Sequence, residues 1–170
     1  MDKKTELRAR AKELRKSLDV ASISSGLCDK IFQNELYKTS KNIMIFYPKK
    51  YEVDLRKLLS DDKNFYLPRV CGRDLAVCPY KIGDDLSVSE FGVLEPLSEK
   101  VSPDILDLVI VPALLADKNC YRLGYGGGYY DRFLKVVPDV KTICALPKEL
   151  LVEALPCYDN DVKVDVVITY

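Results

Sequence analysis

The stretch Arg122-Leu123-Gly124-Tyr125-Gly126-Gly127-Gly128-Tyr129-Tyr130-Asp131 gathers the residues best suited to chemistry into one short segment. Four of its five central positions from 124 to 128 are glycine, so backbone N–H groups can approach an anion that a Cβ would hold away. Arg122 adds a forked cation that suits phosphate. Tyr125, Tyr129 and Tyr130 offer flat faces for a ring. Asp131 falls one helical turn beyond the glycines, where it can hold Mg²⁺ beside a bound phosphate. The segment is not a Walker A loop, because no Gly-x4-Gly-Lys-Ser/Thr occurs in the chain. Nor is it the dinucleotide fingerprint, since Tyr129 stands where the third glycine would be. For the glycines alone, a tight turn packed under a helix remains the other reading.

Further candidates lie far away in sequence. Lys4, Arg8, Lys12 and Arg15 fall within an arc of roughly 80° on a helix that turns about 100° per residue. Either this is a solvated face with snorkelling cations, or it is a second set of phosphate contacts. Asp161, in Asp159-Asn160-Asp161-Val162-Lys163-Val164-Asp165, is a second carboxylate for Mg²⁺, although an acidic turn would read the same way.

Composition narrows the chemistry. The chain has no histidine, which excludes Ser-His-Asp and Cys-His nucleophile systems and His-ligated metal sites as usually built. Its six cysteines form no Cys-x-x-Cys pair, so zinc is not expected and free thiols are. Lys+Arg and Asp+Glu are equal at 26 each, which argues against a nucleic-acid partner. No run approaches the roughly 18 apolar residues of a membrane span. The charged Met1-Asp2-Lys3-Lys4-Thr5-Glu6 start lacks a signal region, so a cytoplasmic protein is expected. What remains is catalysis by positioning, charge and carboxylate-bound Mg²⁺, the terms on which phosphoryl transfer runs.

The elements that must position these groups alternate. Leu7, Ala11, Leu14 and Leu18 form the apolar stripe of a first helix over about 3–18. Asp19 caps a second over about 20–34, with Val20, Ile23, Leu27 and Ile31 buried. Ile43 to Tyr47 reads as a buried strand and Val53 to Leu59 as a helix. Short strands follow at 65–67 and 76–78, then an irregular excursion from Gly83 to Ser102. Leu106 to Val111 reads as a central strand leading to the glycine loop, with a helix from Gly128 to about Val136. A strand at 142–145, a short helix at 149–153 and a last strand at 164–169 complete the chain. Strands apolar on both faces between helices predict one three-layer α/β/α domain over 1–170 with a mostly parallel sheet.

The sequence resembles the 5-formyltetrahydrofolate cyclo-ligase (methenyltetrahydrofolate synthetase) family along nearly its whole length. The resemblance rests on Lys4-x-x-Leu7-Arg8, Phe46-Tyr47-Pro48 with Glu52, Leu67-Pro68-Arg69, Asp117-Lys118, the segment from Arg122 to Leu134, and Asn160-Asp161-x-x-x-Asp165. It implies a three-layer fold and the ATP- and Mg²⁺-dependent conversion of 5-formyltetrahydrofolate to 5,10-methenyltetrahydrofolate, through a phosphorylated formyl group. By resemblance, Lys4, Arg8, Arg122, Leu123, Gly124, Tyr125, Gly126, Gly127, Gly128, Tyr129 and Tyr130 contact the nucleotide. Tyr47 and Glu52, with the loop from Tyr125 to Tyr129, hold the reduced folate. Asp131 and Asp161 position Mg²⁺, and Arg122, Lys4 and Tyr125 act at the reacting centre. A monomer is expected.

Cys120 departs from the family, which usually has glycine there, as do Ala113, Ala116 and the segment Leu146 to Leu150. The alternatives are another ATP-dependent small-acid ligase or kinase, and a non-catalytic nucleotide- or folate-binding module.

Overall fold

A computed structural model describes residues 2–170. In chain order the helices are α1 (Lys3–Lys16), α2 (Val20–Gln33), α3 (Glu35–Thr39) and α4 (Tyr129–Val136). The first strands are β1 (Asn42–Met44), β2 (Asn64–Cys71), β3 (Asp74–Pro79), β4 (Leu86–Val88), β5 (Leu94–Pro96) and β6 (Leu108–Val111). They are followed by β7 (Leu115–Asp117), β8 (Arg122–Leu123), β9 (Lys141–Leu146), β10 (Leu151–Val152) and β11 (Val166–Thr169).

The central sheet runs β11-β9-β6-β1-β2-β3, and every neighbouring pair is parallel except β2 with β3. Successive strand residues point to opposite faces, and both faces are covered. Met44, Val109, Val111, Cys144 and Leu146 pack with Ala11 of α1 and Phe133 and Leu134 of α4. Ile43, Ile45, Leu108, Ile110, Ile143 and Ala145 pack with Leu27 and Ile31 of α2 and Tyr37 of α3. The expected mostly parallel α/β/α layering is therefore present, and burial on both faces is why the strands read as unbroken apolar runs.

Local departures have identifiable causes. Helix α1 ends at Lys16, and its buried positions are Lys4, Ala11 and Arg15, whereas Leu14 is 40% exposed. The inner face is thus rotated toward the cations and away from the expected leucine stripe. The segment expected as a helix from Val53 has no regular structure over 53–55, where Val53 and Leu55 are buried in the core. Asp54 Oδ1 then accepts the Arg56 N–H at 3.0 Å and starts a 3₁₀ turn over Arg56–Ser60. Asn34 caps the short α3 through the Leu36 N–H. Strand β2 continues through Pro68, because β1 stops opposite Tyr66 and leaves β2 a neighbour on one side only.

The excursion is ordered too: β4 and β5 form an antiparallel hairpin, and the Val101 N–H donates to Val77 O. The short helix expected at 149–153 is a 3₁₀ turn over Lys148–Leu150, followed by β10, which pairs with β7. The glycine loop does not follow β6 directly. The β7–β8 hairpin intervenes, and the Leu114 N–H donates to Leu123 O at 2.7 Å, which returns the chain beside the end of β6.

Candidate active site

Strand β1 neighbours β2 on one side and β6 on the other, so the chain reverses its winding between β1 and β6. Open α/β sheets bind ligands at the carboxyl ends of the strands flanking such a switch point. Here Tyr47 follows β1 and Pro112 follows β6, and both line a cavity of about 720 Å³. The same cavity is lined by Lys4, Arg8, Glu52, Asp161 and the whole segment from Arg122 to Asp131. Candidates from four separate stretches of sequence therefore meet in one place.

Lys4 and Arg8 of the cationic arc of α1 line this cavity. Lys4 is buried, with Nζ 2.5 Å from Asp161 Oδ2 and 4.3 Å from the centre of the Tyr158 ring. Arg8 Nε donates to Gly124 O at 2.9 Å. Arg15 Nη1 donates to the Tyr125 hydroxyl at 2.9 Å, and its Nη2 donates to Ala113 O. Lys12 stays exposed and only reaches over the Tyr125 ring, 5.9 Å from its centre. The solvated-face reading of this arc holds for Lys12 alone.

In the glycine loop the chain takes conformations that side chains resist. Gly126 has φ +108° and Gly128, the residue before α4, has φ +66°. A Cβ on Gly126 would meet the Arg8 guanidinium at 3.5 Å, an ordinary contact, so the φ alone is what asks for glycine. Among the described residues, no backbone N–H from Gly124 to Gly128 donates to an acceptor within the protein. Such unpaired donors beside Arg8 and Arg122 are suited to an anion.

Glu52 forms the opposite wall and is only 5% exposed. The turn after β1 fixes it, as the Glu52 N–H donates to Lys49 O at 3.0 Å and Glu52 Oε2 accepts the Lys49 N–H at 2.9 Å. Its Oε1 accepts the Tyr125 hydroxyl at 2.9 Å. Burial raises the pKa of this carboxyl, and the Lys49 N–H, Arg15, the Tyr125 hydroxyl and the Lys49 charge oppose the rise without cancelling it. The Tyr125 hydroxyl is also pushed up, first by burial and then by Glu52, so it remains a neutral donor. Tyr47 lines the cavity while its hydroxyl accepts Arg56 Nη1 at 2.7 Å.

Arg122 is buried, and its Nη2 lies 3.2 Å from Asp131 Oδ1, which also accepts the Val162 N–H. Asp161 Oδ2 accepts the Tyr158 N–H as well as Lys4. Burial raises the Asp161 pKa, but Lys4, the Tyr158 N–H and Arg122 outweigh it and hold the carboxyl below its ordinary value. Asp131 Oδ2 and Asp161 Oδ1 accept no hydrogen bond among the described residues. The described residues contain no cluster of three acidic or sulfur ligands. Two carboxylates, each with one oxygen to spare, fit Mg²⁺, which commonly takes one or two protein carboxylates plus phosphate oxygens.

The sequence reading missed the wall built by the β4–β5 hairpin. Phe91, at its tip, meets the Tyr129 ring edge-on at 6.1 Å, and Val93, Leu94 and Glu95 line the cavity. No periodicity marked this segment, because its strands are three residues each. Lys49 also went unremarked, although its Nζ sits 4.4 Å over the Tyr125 ring.

Comparison with known proteins agrees with this geometry. Residues 1–170 match the 5-formyltetrahydrofolate cyclo-ligase family. A 5-formyltetrahydrofolate cyclo-ligase of Mus musculus is 30% identical over 164 residues, 84% of this chain and 79% of that protein. A probable one of Schizosaccharomyces pombe is 30% identical over 127 residues, 68% of this chain and 62% of that protein. The solved structure of Aquifex aeolicus 5,10-methenyltetrahydrofolate synthetase superposes with a TM-score of 0.83 at 32% identity, over 98% of this chain and 89% of that one. The Mycoplasma pneumoniae synthetase shares the fold, with a TM-score of 0.78 at 20% identity over 98% of each chain. This chain belongs to the 5-formyltetrahydrofolate cyclo-ligase family of enzymes.

Proposed function

We propose that the protein converts 5-formyltetrahydrofolate to 5,10-methenyltetrahydrofolate in the cytosol, hydrolysing ATP to ADP and phosphate with Mg²⁺ bound. The observation that carries this reading is the two-sided cavity. On one side lie cations and unpaired loop N–H groups; on the other lies a buried carboxylate; Tyr125 spans between them.

Lys4, Arg8 and Arg122 attract the triphosphate, and the N–H groups of Gly124 to Gly128 meet charge developing on the transferred phosphoryl. Asp131 and Asp161 would hold Mg²⁺, which supplies further charge neutralisation at the phosphates. Glu52 accepts the paired N–H donors of the pterin's aminopyrimidinone edge, with Tyr47 and Tyr129 as ring walls.

In the reaction, the formyl oxygen attacks the γ-phosphorus as the bond to ADP breaks. N10 then bonds to the activated carbon, the carbon–oxygen bond breaks, phosphate leaves, and the N10 proton passes to water. The formyl oxygen carries no proton, so attack requires no general base. A chain without histidine can therefore perform it.

The test is the absorbance of methenyl-folate after ATP and 5-formyltetrahydrofolate are added to the purified protein. A rise that requires both ATP and Mg²⁺ is expected. Folded protein that gives no rise overturns the reading.

A further inference from the structure

We propose that Arg15 is a positioning residue for the folate side of the site, acting through the Tyr125 hydroxyl to keep Glu52 aimed as an ionised acceptor. The proposal rests on the reading of Glu52 as the pterin-binding carboxylate.

The geometry is a three-member relay. Arg15 Nη1 donates to the Tyr125 hydroxyl at 2.9 Å, and that hydroxyl donates to Glu52 Oε1 at 2.9 Å. Because Arg15 has no acceptor, it must be the donor in the first bond, and this directs the tyrosine proton toward Glu52. The relay joins α1, the glycine loop and the turn after β1, three segments that share no local sequence. Arg15 is 4% exposed and Glu52 5%, so their charges act through protein more than through water.

A purely structural role accounts poorly for an arginine here. Its Nε is buried without a partner, and a buried cation with an unmade bond is destabilising compared with a packed apolar side chain. The neighbouring Leu14 is 40% exposed on the same helix, so α1 gives its inward position to a cation and leaves a leucine in water. The compensating gain lies at Glu52, whose ionised form burial opposes and Arg15 favours. The other groups facing Glu52 are Lys49 from its own turn, Tyr125 from the glycine loop and Tyr130 from α4. Neither tyrosine is a cation, and Lys49 Nζ lies over the Tyr125 ring. Arg15 is therefore the buried cation in the relay to Glu52, and it favours the ionised carboxyl.

The experiment compares the wild-type chain with Arg15→Met, Arg15→Lys and Glu52→Gln, each checked by thermal melting. The Glu52 carboxyl is titrated by ¹³C NMR, and binding of 5-formyltetrahydrofolate and of a non-hydrolysable ATP analogue is measured across pH. In Arg15→Met the Glu52 midpoint rises by about one pH unit. Folate binding weakens about tenfold near neutrality, and its acid limb moves to higher pH. The nucleotide analogue binds as before, and Arg15→Lys restores the limb. A Glu52 midpoint that stays put in Arg15→Met overturns the proposal, as does equal weakening of both ligands, which would mark Arg15 as a mere anchor for α1. Wild-type folate binding by Glu52→Gln would instead sink the pterin reading, while the NMR titration still decides whether Arg15 governs Glu52.

Discussion

The Lys4 ammonium lies 2.5 Å from Asp161 Oδ2 and ties α1 to the turn before β11. A cation expected at phosphate and a carboxylate expected at Mg²⁺ are thus each other's partners, as are Arg122 and Asp131. On the proposed function, Lys4 and Arg122 would exchange these carboxylates for phosphate oxygens, and Asp131 and Asp161 would exchange these cations for Mg²⁺.

Lys4→Met should weaken binding of an ATP analogue about tenfold, the range of one charge-assisted contact. It should also change the response to acid. A carboxylate held below its unfolded pKa, near 3.8 for Asp161, stabilises the fold above that value, and the contribution disappears as pH falls through the folded one. Lys4→Met removes the main cationic cause, so its urea midpoint should drop less on acidification than that of wild type. Equal drops would exclude Lys4 as the group that holds Asp161 low.

Arg122→Ala should lower kcat/KM on the order of 10²-fold or more, as for the loss of a donor aimed at transition-state charge. The structure adds a stability cost. Asp131 Oδ1 loses a buried partner but keeps the Val162 N–H, so a loss of about 1–3 kcal/mol is expected. Arg122→Lys should recover stability more than rate, because it keeps the charge and loses the fork. Steady-state kinetics alongside urea unfolding separates the two effects.

Two glycines of the loop make opposite predictions. Gly126 has φ +108°, which side chains resist, so Gly126→Ala should cost about 1–3 kcal/mol and weaken nucleotide binding. Gly124 has no such φ, and its added Cβ would meet only Arg122 Nη1, at 3.6 Å. Gly124→Ala should therefore melt like wild type. Calorimetry of both variants checks the contrast.

The layers of the fold were legible because runs such as Leu108 to Val111 are apolar on both faces, a pattern only a covered sheet explains. The glycine loop was legible because its composition is rare. The inward turn of Arg15 was not, since a helix with few apolar residues does not declare which face is buried. The arc of Lys4, Arg8 and Arg15 carried the signal, but only a partner 110 residues away in sequence, Tyr125, resolves it. The hairpin β7–β8 escaped because β8 is two residues long and its turn passes through Cys120 at φ +66°. That conformation gives a physical reason for the glycine usual at this position in the family.

Glu52→Gln gives a pH signature. The Glu52 carboxyl is raised above its unfolded value, near 4.5, so its contribution to stability is fully present below that pH and is lost as pH rises through the folded pKa. Glutamine does not titrate. The variant's stability relative to wild type should therefore increase as pH rises above about 4.5, while its folate affinity falls. A difference in urea midpoint that does not vary with pH would show that Glu52 titrates normally.

Asp117 marks the boundary between site and scaffold. It is 1% exposed and accepts three backbone N–H groups: Asn119 and Tyr121 on Oδ1 at 2.9 Å each, and Leu155 on Oδ2 at 2.8 Å. These bonds close the β7–β8 turn and pin the segment after β10, so the carboxylate serves the hairpin that delivers Arg122. It does not line the cavity. Asp117→Ala removes the acceptor of three backbone donors, of which the Leu155 N–H is buried, and should cost about 1–3 kcal/mol. Asp117→Asn keeps an acceptor for one side and should cost less. At a temperature where both variants are folded, kcat should stay near wild type. A variant with wild-type urea midpoint and collapsed kcat would instead move Asp117 from the scaffold into the chemistry.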